Sequence, residues 1–91
     1  LYDIVDITME GLLTLYFSGG QDGKATILRI RQDAVGFRPI TYGAGIRMGV
    51  DLTLVTAQLS TTPMALDYLL VRYNIVDNTY DLLAINHGYT F

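Results

Sequence analysis

The stretch Glu10–Arg31, EGLLTLYFSGGQDGKATILRIR, decides the fold class. Between Glu10 and Phe17, residues Leu13, Leu15 and Phe17 fall on one side and Leu12, Thr14 and Tyr16 on the other, the two-residue period of a strand. Ser18-Gly19-Gly20-Gln21-Asp22-Gly23 follows, and its glycines supply the positive-φ positions that a longer hairpin loop demands. Lys24 to Arg31 then alternates again, with Thr26, Leu28 and Ile30 opposite Ala25, Ile27, Arg29 and Arg31. Together these segments predict a β-hairpin over residues 10–31 whose arginine-bearing end reaches solvent or a partner.

Upstream, Ile4, Val5, Ile7 and Met9 mark one more strand. Downstream, Asp33 and Ala34 turn the chain, and Val35, Phe37 and Pro39 share one face of a short extended piece. Pro39 has no N–H to give a ladder, which assigns that piece to an edge or a bulge. Tyr42 to Gly49 holds Gly43, Gly45 and Gly49 and predicts an irregular loop. Met48, Val50, Leu52 and Leu54 share one parity and Val55, Ala57 and Leu59 the other, so a bulge or a switch between sheets is expected between Leu54 and Val55. Ser60-Thr61-Thr62-Pro63 is a turn or a helix start. Residues 63–76 admit two forms. A helix capped by Thr62, with Pro63 at its first position, would carry Leu66, Leu69, Leu70 and Tyr73 as its apolar stripe. A strand from about Tyr68 to Val76 would place Leu69, Val71, Tyr73 and Ile75 inside and Arg72 and Asn74 outside, and its β-branched and aromatic residues favour it. Asp77-Asn78-Thr79 turns the chain into a last strand, Tyr80 to Ile85. Six to seven short strands separated by glycine or Asx turns predict an all-β fold, a single antiparallel β-sandwich or small barrel over residues 1–91.

Composition agrees with this class. The chain has 91 residues, 51% hydrophobic and 16% charged, enough apolar material for one core between two layers. Lys24 is the only lysine and Glu10 the only glutamate, and these are the residues that normally cover exposed helix faces. A disordered tail and a disulfide scaffold are both excluded, the first by the hydrophobicity and the second by the absence of cysteine. The same absence removes thiolate catalysis, thiolate-bound zinc and iron–sulfur chemistry. A net charge of −3 argues against a nucleic-acid groove, which needs a basic stripe. No apolar run reaches the roughly 18 to 20 residues of a membrane-spanning helix, because Asp6, Glu10, Asp67 and their neighbours interrupt every candidate. The sequence opens at Leu1 with no signal-peptide pattern and stops at Phe91 within a strand-like stretch, so it is expected to be trimmed at one or both ends. A solitary domain of this size carries nearer a quarter of its residues as charges, so this one is expected to have company.

Chemistry-bearing constellations are sparse. His87 is the only histidine and needs an oriented nucleophile, yet neither Ser18 nor Ser60 sits in a G-x-S-x-G turn; a partly exposed strand-end residue is the simpler assignment. Asp22, Asp33 and Asp77 sit at predicted turns, where aspartate bonds its own backbone. Asp51 and Asp81 lie inside predicted strands, on an exposed face or beside one hydrogen-bonded partner. Asp77, Asn78 and Asp81 make an incomplete calcium set. In Gly43–Gly49 the last glycine is one position too far for G-x-G-x-x-G, and Gly23-Lys24-Ala25 lacks the hydroxyl residue of a phosphate loop. No catalytic, cofactor-binding or metal-ligating residue is therefore expected, and no cofactor. Seven tyrosines remain, and tyrosine with arginine is what interface centres favour. Arg38, Tyr42 and Arg47, near the glycine-rich loop, are the candidate interface residues.

Residues 51–63, DLTLVTAQLSTTP, followed by Leu69-Leu70-Val71 and then by Tyr80-Asp81-Leu82-Leu83, resemble small β-sandwich proteins encoded among the structural genes of tailed bacteriophages. In those, a strand ending in a Leu-Ser-x-x-Pro turn leads to a strand of alternating apolar residues and then to a Tyr-Asp pair opening the next. The resemblance covers the second half of the chain, and the family's pattern continues with further strands past the position of Phe91. It implies a non-enzymatic virion component, a capsid-decoration or tail-associated subunit that associates with itself or with other virion proteins. A module that binds carbohydrate or a host surface, using tyrosines and loop aspartates around the glycine-rich loop, is the alternative.

Overall fold

Alternating apolar residues produce strands. The computed structural model describes residues 2–50, 52 and 58–90. Among them are β1 (Tyr2–Met9), β2 (Leu13–Leu15), β3 (Ala25–Gln32), β4 (Ile40–Tyr42), β5 (Ile46–Met48), β6 (Leu66–Asn74) and β7 (Thr79–Tyr89), and no helix. The strand form of residues 63–76 is thus the one adopted, beginning two residues earlier than expected. The parity change between Leu54 and Val55 lies outside the described residues.

Five strands form one sheet in the order β1-β3-β6-β7-β5, and β2 and β4 form a second. The predicted hairpin over residues 10–31 does not exist. Its two alternating segments are both strands, but β2 pairs with β4 in the small sheet while β3 pairs with β1 and β6 in the large one. The expectation of an antiparallel fold is corrected as well. Pairs β1–β3, β2–β4 and β5–β7 are parallel, whereas β3–β6 and the hairpin β6–β7 are antiparallel. The reason lies in the path of the chain. From β1 to β5 it visits the large and small sheets alternately, so β2 is the crossover between β1 and β3 and β3 the crossover between β2 and β4, a role usually taken by a helix, while β5 reaches its parallel neighbour β7 through β6 of the same sheet. The large sheet does not close into a barrel, because β1 and β5 remain its two ends. The segment 42–49, expected to be irregular, contains the end of β4 and the whole of β5.

Parity then builds the core. Leu28 and Ile30 of β3, Leu69 and Val71 of β6, Leu82 of β7 and Met9 of β1 join Leu15 and Ile40 of the small sheet, and Leu59, in one buried cluster. Each such side chain contributes about 1.5–3 kcal/mol by leaving water. Among the described residues, two polar ones share this interior, Gln32 and Asp67. The Gln32 amide is satisfied by the backbone of Arg38: its Nε2 donates to the Arg38 carbonyl at 2.8 Å and its Oε1 accepts the Arg38 N–H at 3.0 Å. A side chain thereby supplies one more rung of backbone-like pairing, which ties residues 33–38 to the end of β3.

Candidate interaction surface

Two loops meet beside this glutamine. The Asp33 carboxylate accepts the N–H groups of Val35 and Gly36 at 3.1 and 3.0 Å, an Asx-type turn, and also takes the Arg38 guanidinium at 3.0 Å. The Arg38 cation and those N–H groups hold the Asp33 carboxyl below the usual carboxylate range. The second loop, residues 60–64, is stitched to the first by Phe37 N–H to the Thr61 carbonyl at 2.9 Å and Met64 N–H to the Asp33 carbonyl at 3.0 Å. Gly36 lies between them at φ +76°, and a Cβ there would stand 2.6 Å from the Thr61 carbonyl oxygen, so glycine is required.

This hydrogen-bonded double loop presents apolar side chains to water. Val35, Phe37 and Met64 are 63%, 71% and 44% exposed. Phe37 and Met64 also sit at positive φ, +59° and +64°, where a side chain costs roughly 1–2 kcal/mol. A strained backbone that displays rather than buries its large apolar groups is the reverse of what stability alone would select.

The three residues singled out from sequence fall into separate surroundings. Arg38 is half-buried on Asp33 and so forms part of the scaffold behind this tip. Tyr42, on β4, packs against the core, and burial together with the Asp67 carboxylate pushes its hydroxyl up to about 12. Arg47, on the edge strand β5, grips Asp81 with Nε and one terminal nitrogen at 2.8 and 2.9 Å, and reaches Asp77 at 2.9 Å with the other. Those bonds lower the Asp81 pKa and raise that of Arg47. Asp81 therefore has the bonded partner expected of it, and Asp77 and Asp81 both face a guanidinium. A cleft of about 410 Å³ alongside, lined by Arg47, Met48, Leu52 and Asp81 among others, holds that same arginine and aspartate.

Sequence reasoning passed over Asp67. It is 1% exposed and accepts the N–H of Ser60 at 2.6 Å and of Gly88 at 2.9 Å. Gly88, at φ +78°, lies in a register irregularity of β7 opposite Leu66–Tyr68. A bulge leaves an N–H without a ladder partner, and Asp67 answers it. A signal was present, since Asp67 shares the parity of Leu69 and Val71, which places a carboxylate on an apolar face. His87, next to the bulge, is exposed, and its Nε2 lies 2.6 Å from the Gln58 carbonyl. Comparison with protein-family models, with curated proteins and with solved structures finds no match to this chain.

Proposed function

We propose that this chain is a non-enzymatic structural subunit, a small β-sandwich that works by burying apolar surface against copies of itself in an assembly. A virion, with the chain as a decoration or tail-associated protein, is the assembly that the resemblance to phage proteins favours. The observation that carries the proposal is the rigid apolar tip formed by Val35, Phe37 and Met64. Its hydrogen bonds fix the loops before any partner arrives, so little ordering entropy is lost on docking, and an aromatic anchor of this kind is what dominates interface energetics.

Phe37→Gly tests it, because glycine keeps the N–H bonded to Thr61 and relieves the positive φ. Folding stability is expected to hold or to rise by up to about 1 kcal/mol. Association, followed by size-exclusion chromatography with light scattering, is expected to weaken by about tenfold or more, the loss of an interface anchor. A wild-type chain that stays monomeric at high micromolar concentration, or one whose association ignores the substitution, would overturn the proposal.

A further inference from the structure

The two ends of the large sheet differ. β5 is guarded by its shortness, being three residues long. β1 runs for eight residues, Tyr2–Met9, with β3 on one side and, among the described residues, no strand on the other. It holds no proline, no lysine and no register irregularity against β3. Its two charges are exposed but each is paired within the chain: Asp3 with Lys24 at 3.1 Å, and Asp6 with both nitrogens of Arg29 at 2.6 and 2.7 Å. Arg29 holds the Asp6 carboxyl below its ordinary range, so it stays an ion paired to its own chain. Ile4 and Val5, between these acids, are 49% and 40% exposed. Every second residue of such an edge also aims its N–H and C=O outward.

We infer that β1 is a pairing edge for β1 of a second copy, antiparallel and centred on Val5. This deepens the assembly proposal by naming a contact distinct from the apolar tip. A two-fold axis perpendicular to the sheet requires residues of equal parity to face each other, which leaves few registers. Centring on Asp6 would oppose two carboxylates. Centring on Ile4 or Ile7 would shorten the ladder. Centring on Val5 pairs residues 2–8, sets Val5 against Val5, Ile4 against Asp6 and Asp3 against Ile7, and brings no two acids face to face. The result is one sheet continuous across both copies.

The chain's lack of cysteine makes the test clean. Directly opposed residues in antiparallel strands have Cα atoms about 4.5–5.5 Å apart, within disulfide range. Under mild oxidation Val5→Cys is expected to form a covalent dimer at least tenfold faster than Ile75→Cys on the exposed β6–β7 turn. An equimolar mixture of Ile4→Cys and Asp6→Cys is expected to give chiefly the mixed disulfide, read by mass. Circular dichroism confirms the fold of each variant. Val5→Cys coupling no faster than the control, or a statistical mixture in the second experiment, overturns the inference. Repeating the coupling in the Phe37→Gly background separates the two ideas. Coupling that survives there supports the edge even if the tip proposal fails, whereas a wild-type chain that assembles while Val5→Cys stays uncoupled refutes the edge alone.

Discussion

Asp67→Ala should damage the fold severely. Its carboxylate answers two backbone N–H groups, Ser60 at 2.6 Å and Gly88 at 2.9 Å, from a position that water does not reach. Leaving a buried donor unanswered costs about 1–3 kcal/mol, so losing both bonds, with a small void added, removes about 3–5 kcal/mol. Asp67→Asn keeps one carbonyl oxygen but turns its NH₂ toward the second N–H, and about 2 kcal/mol is expected. Natural domains hold only about 5–15 kcal/mol in all, and each kilocalorie moves the midpoint of a domain this size by roughly 4–8 °C. The alanine variant should therefore melt well over 10 °C below wild type, with the asparagine variant between them. Urea titration followed by circular dichroism and tyrosine fluorescence measures this, the chain having no tryptophan. The amide resonances of Ser60 and Gly88 should shift most in the asparagine variant. An alanine variant within about 0.5 kcal/mol of wild type would refute the assignment of Asp67 as a double backbone anchor.

Gly36→Ala should lose more than about 2 kcal/mol, because it combines positive φ with a Cβ 2.6 Å from the Thr61 oxygen; a thermal melt equal to wild type would show that the two loops can part freely. Asp33 and Asp81 have lowered carboxyl pKa values in the folded state, the first through Arg38 and the second through Arg47. Their contribution to stability is thus complete above the unfolded value near 3.9 and is lost as pH falls through the lower folded values. Stability should drop below about pH 4 with a slope that Asp33→Asn and Asp81→Asn both flatten, and unchanged slopes would contradict the pairing.

How far the sequence could be read depends on which physical quantity each residue reports. Alternation reports which face a side chain occupies, so Leu28, Ile30, Leu69 and Val71 were legible as inward, and residues 10–31 as two strands. Alternation does not report which strand lies alongside. The glycine loop after Phe17 allows a hairpin, but Gly20 N–H bonds the Tyr80 hydroxyl at 2.9 Å and Gly23 N–H bonds the Tyr73 carbonyl at 2.9 Å, so the loop carries the chain across to β6 and β7. Phe17 stacks on Tyr80 at 5.1 Å and holds it there. The tip was illegible for a different reason: the positive φ of Phe37 and Met64 is imposed by bonds to Thr61 and Asp33, residues remote in sequence, and nothing local marks it. Arginine was recognised as an interface type, yet its partners decide its role, and Arg38 and Arg47 each found acids within the chain.

Alternation of the chain between two sheets also governs when the protein can fold. Among the described strands that pair with one another, only β6 and β7 are joined by a short turn; every other pair waits for partners tens of residues apart, as with Asp6 beside Arg29 and Arg47 beside Asp81. High contact order of this kind means slow folding. During synthesis β1 to β5 leave the ribosome before β6, the strand that joins β3 to β7, has been made. The apolar faces of Leu15, Leu28 and Ile30 then have no sheet to close over them, so the nascent chain has a window of aggregation risk that ends only when the β6–β7 hairpin emerges.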